Sequence, residues 1–426
     1  MTVLKEGGRG AGVELLQTGL RRAGFLTGRP DGVFGGNTLA ALKSFQEDNG
    51  ITPDGVAGNF TWNALMPWLK GYVNYFVKRG ESFSSIARKY GITTREILAA
   101  NPGITPEELA VSQRIVIPLP FDVVPTDIKW TSELLNIAAE GLVKRYPFIR
   151  RRTIGQSVMG RPLELLIIGG GSKKVCYNAS HHANEWITTP VLMKFLEQYA
   201  KAYVNRGRID YEYAENLYNR CQLYVVPMVN PDGVDLVNSA IPENGYYYRQ
   251  AARYSGYYPE IPFPSGWKAN INGVDLNLNY PASWNLAREI KSGLGYTMPG
   301  PRDYVGVAPL SQPESYAMYR LTINNDFLLT LSYHTQGEVI YWKYKDYLPK
   351  NSLETGRIMS QVSGYPLEDT PEQSGNAGYK DWFIKTYNRP GYTIEAGRGR
   401  NPLPIGQFDD IYRDNTGILI TGMKSV

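Results

Sequence analysis

Over the first 66 residues apolar side chains recur at helical spacing. Val13, Leu16, Leu20 and Phe25 follow it, as do Leu39, Leu42 and Phe45, with Gln46 the one polar residue in line. A small helical module is expected there. From about residue 74 to 118 the pattern changes. Tyr75-Phe76-Val77 reads as a short strand and Gly80-Glu81-Ser82 as a turn. Residues 82–90 read as a helix with Phe83, Ile86 and Ala87 on one face. Thr93 is a plausible N-cap for a second helix, with Glu96 three residues on, and Asn101-Pro102 ends it. Residues 113–118 close a βααβ unit with a strand. Residues 119–126, with two prolines, read as a linker. Beyond it, short apolar runs at 163–168, 175–179, 223–229, 327–333 and 391–394 alternate with helical stretches such as 188–204. That alternation predicts an α/β fold with a buried, parallel or mixed sheet flanked by helices. The expected division is residues 1–70, 71–119 and 120–426.

The helical segment contains an internal repeat. Asp31-Gly32-Val33-Phe34-Gly35-Gly36-Asn37-Thr38 recurs as Asp54-Gly55-Val56-Ala57-Gly58-Asn59-Phe60-Thr61, sharing D-G-V-x-G-x-x-T. Asp-Gly favours a tight turn, and Thr38 and Thr61 are expected to cap the helices that follow. The doubled motif resembles the bacterial peptidoglycan-binding domain of the three-helix type. The βααβ unit resembles a LysM domain in V-K-R-G-E-S-F-S-S-I-A-R-K-Y, N-P-G-I and Q-R-I-V-I-P. These resemblances imply that residues 1–119 hold peptidoglycan glycan strands.

Composition narrows the function classes. A chain of 426 residues calls for two or three domains, and 42% apolar with 20% charged residues is ordinary for a globular protein. A net charge of +5 is too weak to argue for nucleic acid, yet it does not oppose an anionic wall. The 31 tyrosines suit sugar ligands, although most are expected to be half-buried amphipathic residues. Cys176 and Cys221 sit in strand-like runs and are expected to be buried free thiols. No apolar h-region follows Met1 and no run reaches 18 apolar residues, so neither export signal nor membrane span is expected.

Three histidines occur in the chain: His181, His182 and His334. His182-Ala183-Asn184-Glu185 follows an apolar strand and sets an imidazole three residues from a carboxylate, while His334 ends another strand. Two imidazoles, one carboxylate and an open position for water make the ligand set of a hydrolytic zinc site, where the metal lowers the water's pKa to about 7. H-x-x-E alone is a weak signal. Here His182-Ala183-Asn184-Glu185-Trp186, Asn230-Pro231-Asp232-Gly233, Val274-Asp275-Leu276-Asn277, Ser332-Tyr333-His334 and Tyr392-Thr393-Ile394-Glu395 occur in order. Together they resemble the zinc carboxypeptidase family. The resemblance implies one zinc held by His182, Glu185 and His334, with Glu395 as general base. It places Lys268 of Trp267-Lys268 where the family has Trp-Arg, as the cation for the oxyanion. His181, beside a ligand, is expected to be a neighbouring or core residue.

Two departures bear on substrate. The family's exopeptidases clamp a free C-terminal carboxylate with V-D-x-N-R, but here Leu278 stands in the Arg position, leaving Asn277 to bond substrate. In Ser374-Gly375-Asn376-Ala377-Gly378-Tyr379-Lys380-Asp381-Trp382, Lys380 falls where the family reads the substrate side chain, which suggests a carboxylate-bearing partner. The family's phenol falls on Gln373. The architecture is similar to bacterial γ-D-glutamyl-diamino-acid endopeptidases, which implies cleavage between γ-D-Glu and meso-diaminopimelate or L-Lys in stem peptides. A stem-peptide carboxypeptidase and a catalytically dead wall-binding protein are the alternatives. Wall or spore association is expected, with synthesis in the cytoplasm of a mother cell reconciling it with the missing export signal.

Overall fold

In the computed structural model, which describes residues 1–371 and 373–426, the N-terminal periodicity becomes three helices: α1 (Ala11–Arg22), α2 (Gly36–Asp48) and α3 (Asn59–Lys70). Leu16, Leu20, Leu42, Phe45 and Leu65 are buried between them. The polar exception in the pattern has a reason. Gln46 is buried, and its amide nitrogen donates to Asp54 Oδ1 (2.9 Å) and Thr61 Oγ1 (3.1 Å). Gln17 does the same for the other loop, to Asp31 Oδ1 (2.7 Å) and Thr38 Oγ1 (3.0 Å). The repeat is thus a pair of loops, each pinned by a glutamine from the preceding helix. Thr38 and Thr61 do not cap helices as expected. Gly35 and Gly58 hold the N-cap positions, and each threonine hydroxyl, one turn inside, is taken by its glutamine.

The next unit pairs β1 (Tyr72–Phe76) antiparallel with β2 (Arg114–Pro118) around α4 (Phe83–Tyr90) and α5 (Thr94–Ala100). Thr93 and Glu96 form the expected capping box: Thr93 N donates to Glu96 Oε2 at 2.8 Å, and Glu96 N donates to Thr93 Oγ1 at 3.2 Å. A separate core of Val77, Phe83, Ile86, Ile97, Ile115 and Ile117 holds it.

Residues 119–126 are not a free spacer. Val123 and Val124 are buried in a hydrophobic cluster that also contains Leu20, Leu65 and Leu69 of the first module and Leu135, Ala138 and Leu142 of α6 (Ser132–Arg145). Arg22 donates to the carbonyls of Asp122 (2.8 Å) and Val123 (3.0 Å), and Arg21 pairs with Asp127 at 2.6 Å. Asp122 is held in turn by Lys194 (2.7 Å) and Lys201 (3.0 Å). The Pro-bearing composition fits an extended, fixed strap as well as it fits a spacer.

The large domain is built on an eight-stranded mixed sheet. Its strands are β3 (Arg150–Gln156), β4 (Pro162–Ile168), β5 (Lys173–Ala179), β8 (Cys221–Val226), β9 (Phe327–His334), β10 (Val339–Tyr341), β11 (Leu367–Glu368) and β12 (Gly391–Glu395), in the order β11-β10-β12-β9-β5-β8-β4-β3. A small hairpin, β6 (Arg208–Ile209) with β7 (Glu212–Tyr213), stands apart. Leu166, Ile168, Val175, Tyr177, Leu223 and Val225 face one core; Leu165, Ile167, Cys176, Tyr224 and Val226 face the other. Both faces are buried, so these strands read as continuous apolar runs. Helix α7 (Thr188–Val204) packs on the first face. Helices α8 (Ala214–Arg220), α9 (Pro231–Val237), α10 (Tyr246–Ser255), α11 (Trp284–Gly293), α12 (Pro313–Ile323), α13 (Ser352–Ser363), α14 (Tyr379–Tyr387) and α15 (Phe408–Lys424) complete the domain. Strands β8, β5, β9 and β12 run parallel, so their carboxyl ends open on the same edge. Cys176 and Cys221 are buried and unpaired. Among the described residues no helix is long and apolar enough to cross a membrane.

Candidate active site

The carboxyl ends of the parallel strands gather the predicted residues, the usual place for a site in an open α/β sheet. His334 is the last residue of β9 and Glu395 the last of β12, and the two are register partners. His182 and Glu185 follow β5 in a short turn of 3-10 helix over Ala183–Glu185. The turn is fixed from behind: Asn230, from the N-P-D-G segment, donates to the carbonyls of His181 (3.2 Å) and Ala269 (3.0 Å) and accepts from Gly233 N.

His182, Glu185 and His334 are buried and offer ligand atoms that all lie within 4.8 Å of one another. Nδ1 of His182 faces one oxygen of Glu185 at 2.9 Å, and Nδ1 of His334 faces the other, also at 2.9 Å. The two Nδ1 atoms are 3.1 Å apart. Three lone-pair atoms from distant parts of the chain turn towards one point, and the N, N, O set fits a zinc ion. Burial works against the charged form of His182, but Glu185 and Asp275 outweigh it and lift the imidazole to about 9. Burial pushes His334 below its ordinary range. His181 stays outside the cluster, buried, with Nε2 3.0 Å from Tyr280 OH.

Glu395 lines the cavity over this cluster together with Lys268, Asn277, Leu278 and Lys380. Burial and the Glu185 carboxylate push Glu395 up to about 8. Lys268 Nζ is 3.5 Å from Glu185 Oε1 and keeps its charge, since Glu185 and Asp275 offset its burial. Asn277 accepts from Tyr379 N at 3.1 Å through Oδ1, which leaves its NH2 as a donor on the cavity wall. Lys380 differs from expectation. Its ammonium reaches Lys343 O (2.9 Å), Thr370 Oγ1 (2.7 Å) and Asp381 Oδ1 (2.9 Å). Its three donors are all spent inside the protein, so it braces the wall rather than offering a hydrogen bond to substrate.

Comparison with known proteins decides the family. The zinc carboxypeptidase family model matches residues 136–417. The chain belongs to the zinc carboxypeptidase family. It is a zinc metallopeptidase, with His182, Glu185 and His334 as its potential metal-binding group. A peptidoglycan-binding domain matches residues 9–65 and a LysM domain residues 75–118, so the N-terminal modules indicate peptidoglycan binding and association with the cell wall. The chain is 47% identical over 280 residues to gamma-D-glutamyl-L-diamino acid endopeptidase 1 of Lysinibacillus sphaericus, covering 65% of this chain and 68% of that protein. The spore cortex-lytic enzyme of Oceanobacillus iheyensis is 38% identical over 85 residues, 19% of this chain and 31% of that protein. Bovine thrombin-activatable fibrinolysis inhibitor shares the fold, with a TM-score of 0.54 at 18% identity over 70% of this chain and 98% of that one.

Within this zinc carboxypeptidase site, several residues escaped sequence reasoning. Asp275 Oδ1 lies 3.1 Å from His182 Nε2 and so orients the ring to present Nδ1 to the cluster. Its signal is the V-D-x-N segment itself, in which Asp275 stands two residues before Asn277. Tyr341 of β10 lines the cavity as a phenol beside Glu395, whereas the expected phenol position is Gln373. Arg302, Lys291 and Asp303 also line the cavity, and no motif announced them.

Proposed function

We propose that the chain hydrolyses the bond between γ-D-glutamate and a diamino acid, meso-diaminopimelate or L-Lys, in peptidoglycan stem peptides. The observation that carries this reading is Leu278 in the cavity wall, where a carboxypeptidase would hold the substrate's terminal carboxylate with arginine. Without that guanidinium, trimming of a C-terminal residue loses its anchor, and an internal bond with a carboxylate beside it becomes the better fit. The endopeptidase name of the Lysinibacillus relative and the wall-binding modules support the same substrate.

The residues take these roles in the proposal. His182, Glu185 and His334 hold zinc, which when bound supplies Lewis-acid polarisation of water and of the scissile carbonyl. Glu395 takes a proton from the attacking water and returns it to the leaving amine. A carboxyl lifted by its buried setting suits that exchange near neutral pH. Lys268, buried and charged, stabilises the oxyanion as a point charge, without the bidentate geometry of arginine. Asn277 holds the substrate through its NH2 group, and Lys380 fixes the wall through Thr370 and Asp381. Residues 1–70 and 71–119 grip glycan strands, and residues 120–426 cut. A role in spore or mother-cell wall turnover belongs to this reading.

Digestion of L-Ala-γ-D-Glu-meso-diaminopimelate tests it. The zinc-loaded protein should release L-Ala-D-Glu by mass spectrometry, and Glu395→Gln should lower the rate by about 3 orders of magnitude or more. Release of the C-terminal residue from a tetrapeptide, with the γ-D-glutamyl bond intact, would establish the carboxypeptidase alternative instead.

A further inference from the structure

The charges around the cavity do not balance evenly. Lys268 faces Glu185, and Lys380 is bonded to Asp381. At the remaining corner two cations share one anion: Lys291 Nζ meets Asp303 Oδ1 at 2.6 Å, and Arg302 Nε meets Asp303 Oδ2 at 2.5 Å. Asp303 holds a left-handed backbone, φ 65°, unusual for a residue with a side chain, and its N–H is bonded to Asp275 at 3.3 Å. The corner is therefore built; Asp275 beside it is paired with His182, and the three ion-paired side chains Lys291, Arg302 and Asp303 carry one positive charge in excess.

That excess is presented to solvent. The side chain of Arg302 is 43% exposed, against 13% for Lys291 and 5% for Lys380. Only its Nε is bonded to the described residues, so both Nη groups remain as donors. Arg302 and Leu278 line the same cavity.

Resting on the substrate reading above, we infer that Arg302, backed by Lys291 and aligned by Asp303, is a binding subsite for a substrate carboxylate. Asp303 holds the Nε edge of the guanidinium, and the free Nη edge meets the ligand in a charge-assisted, bidentate contact. Lys291 cancels the charge of Asp303, so the arginine acts on the ligand at full strength. A γ-linked glutamate offers one such carboxylate, its free α-carboxyl next to the scissile amide. The diamino acid offers others. The shared chemistry is a carboxylate held beside the bond to be cut.

The test uses the zinc-loaded full chain and three forms of L-Ala-γ-D-Glu-meso-diaminopimelate: the free acid, one amidated at the D-Glu α-carboxyl, and one amidated at the diaminopimelate carboxyls. Arg302→Gln should lower kcat/KM on the free acid by about 10- to 100-fold, chiefly through KM. The variant should also lose the wild type's preference for the free acid over one of the two amides. The amide that loses its penalty identifies the carboxylate. Arg302→Lys should restore part of the loss. An equal loss on all three peptides, or no loss on any, overturns the subsite. If wild type cleaves none of them, the substrate reading fails separately. The subsite is then judged by calorimetric binding of the uncleaved free acid, which Arg302→Gln must weaken at least tenfold to sustain it.

Discussion

Substituting Arg22 by methionine would test how firmly the first module is joined to the catalytic body. Methionine keeps an apolar stem of similar reach and removes every donor. In the structure the guanidinium donates to Asp122 O at 2.8 Å, Val123 O at 3.0 Å, and more weakly to the carbonyls of Trp68 and Leu69 at 3.3 Å each. It also stands over the Phe121 ring, 4.8 Å from its centroid. Two well-placed charge-assisted bonds contribute about 1.5 kcal/mol each at the low end of their range. The cation–π contact adds about 1 kcal/mol. The loss should therefore be about 4 kcal/mol, concentrated in the strap and its junction with α1 and α3. Hydrogen exchange is the direct assay, since amides that open through undocking of the strap should lose protection by about three orders of magnitude. Urea unfolding followed by tryptophan fluorescence should show the same loss, with Trp68 and Trp130 on either side of the junction reporting together. A loss below 1 kcal/mol, or unchanged protection at Val123 and Val124, would refute the idea that this arginine clamps the strap.

Two further outcomes are expected. Asp275→Ala should weaken zinc binding by about 10- to 100-fold, measured by competition with a chromogenic chelator, because His182 loses the acceptor that orients its ring; unchanged affinity would remove Asp275 from that role. Glu314 is buried at the start of α12, and burial pushes its carboxyl from 4.5 up to about 7. A carboxyl raised in the folded state destabilises it once ionised, so stability should fall as pH rises from about 4.5 through 7 and then level off, by on the order of 3 kcal/mol. The difference in urea midpoint between wild type and Glu314→Gln, followed from pH 4 to 8, should carry that slope; a difference independent of pH would exclude it.

The parts of the fold legible in the sequence are those where one physical cause dominates. Strands β5, β8 and β9 are buried on both faces, so their apolar runs announce them. The edge strand β3, Arg-Arg-Arg-Thr-Ile-Gly-Gln, has no such run, because an edge carries charge against unwanted pairing. Gln46 looks like a fault in a helical stripe until its loop, 15 residues away at Thr61, is seen to need its hydrogen bond. In the site, spacing and resemblance pointed to His182, Glu185, His334 and Glu395; the structure clusters the first three, and His182 and Glu395 line one cavity. What the sequence left hidden is direction. Lys380 sits at the position expected to face substrate, but three acceptors from separate segments turn its ammonium into the wall. The part played by Asp275 depends on which ring nitrogen of His182 it meets, a matter of orientation that spacing does not encode.

The strap's burial governs how the protein meets its polymer. Because α1 to α3 share apolar packing with α6 and residues 123–124, the interval from glycan grip to cleft is a fixed gauge rather than the reach of a leash. Only bonds lying at that standoff from the gripped strand come within range. On the proposed reading, the grip must let go between successive cuts, so slower dissociation from the mesh should slow the spread of cleavage.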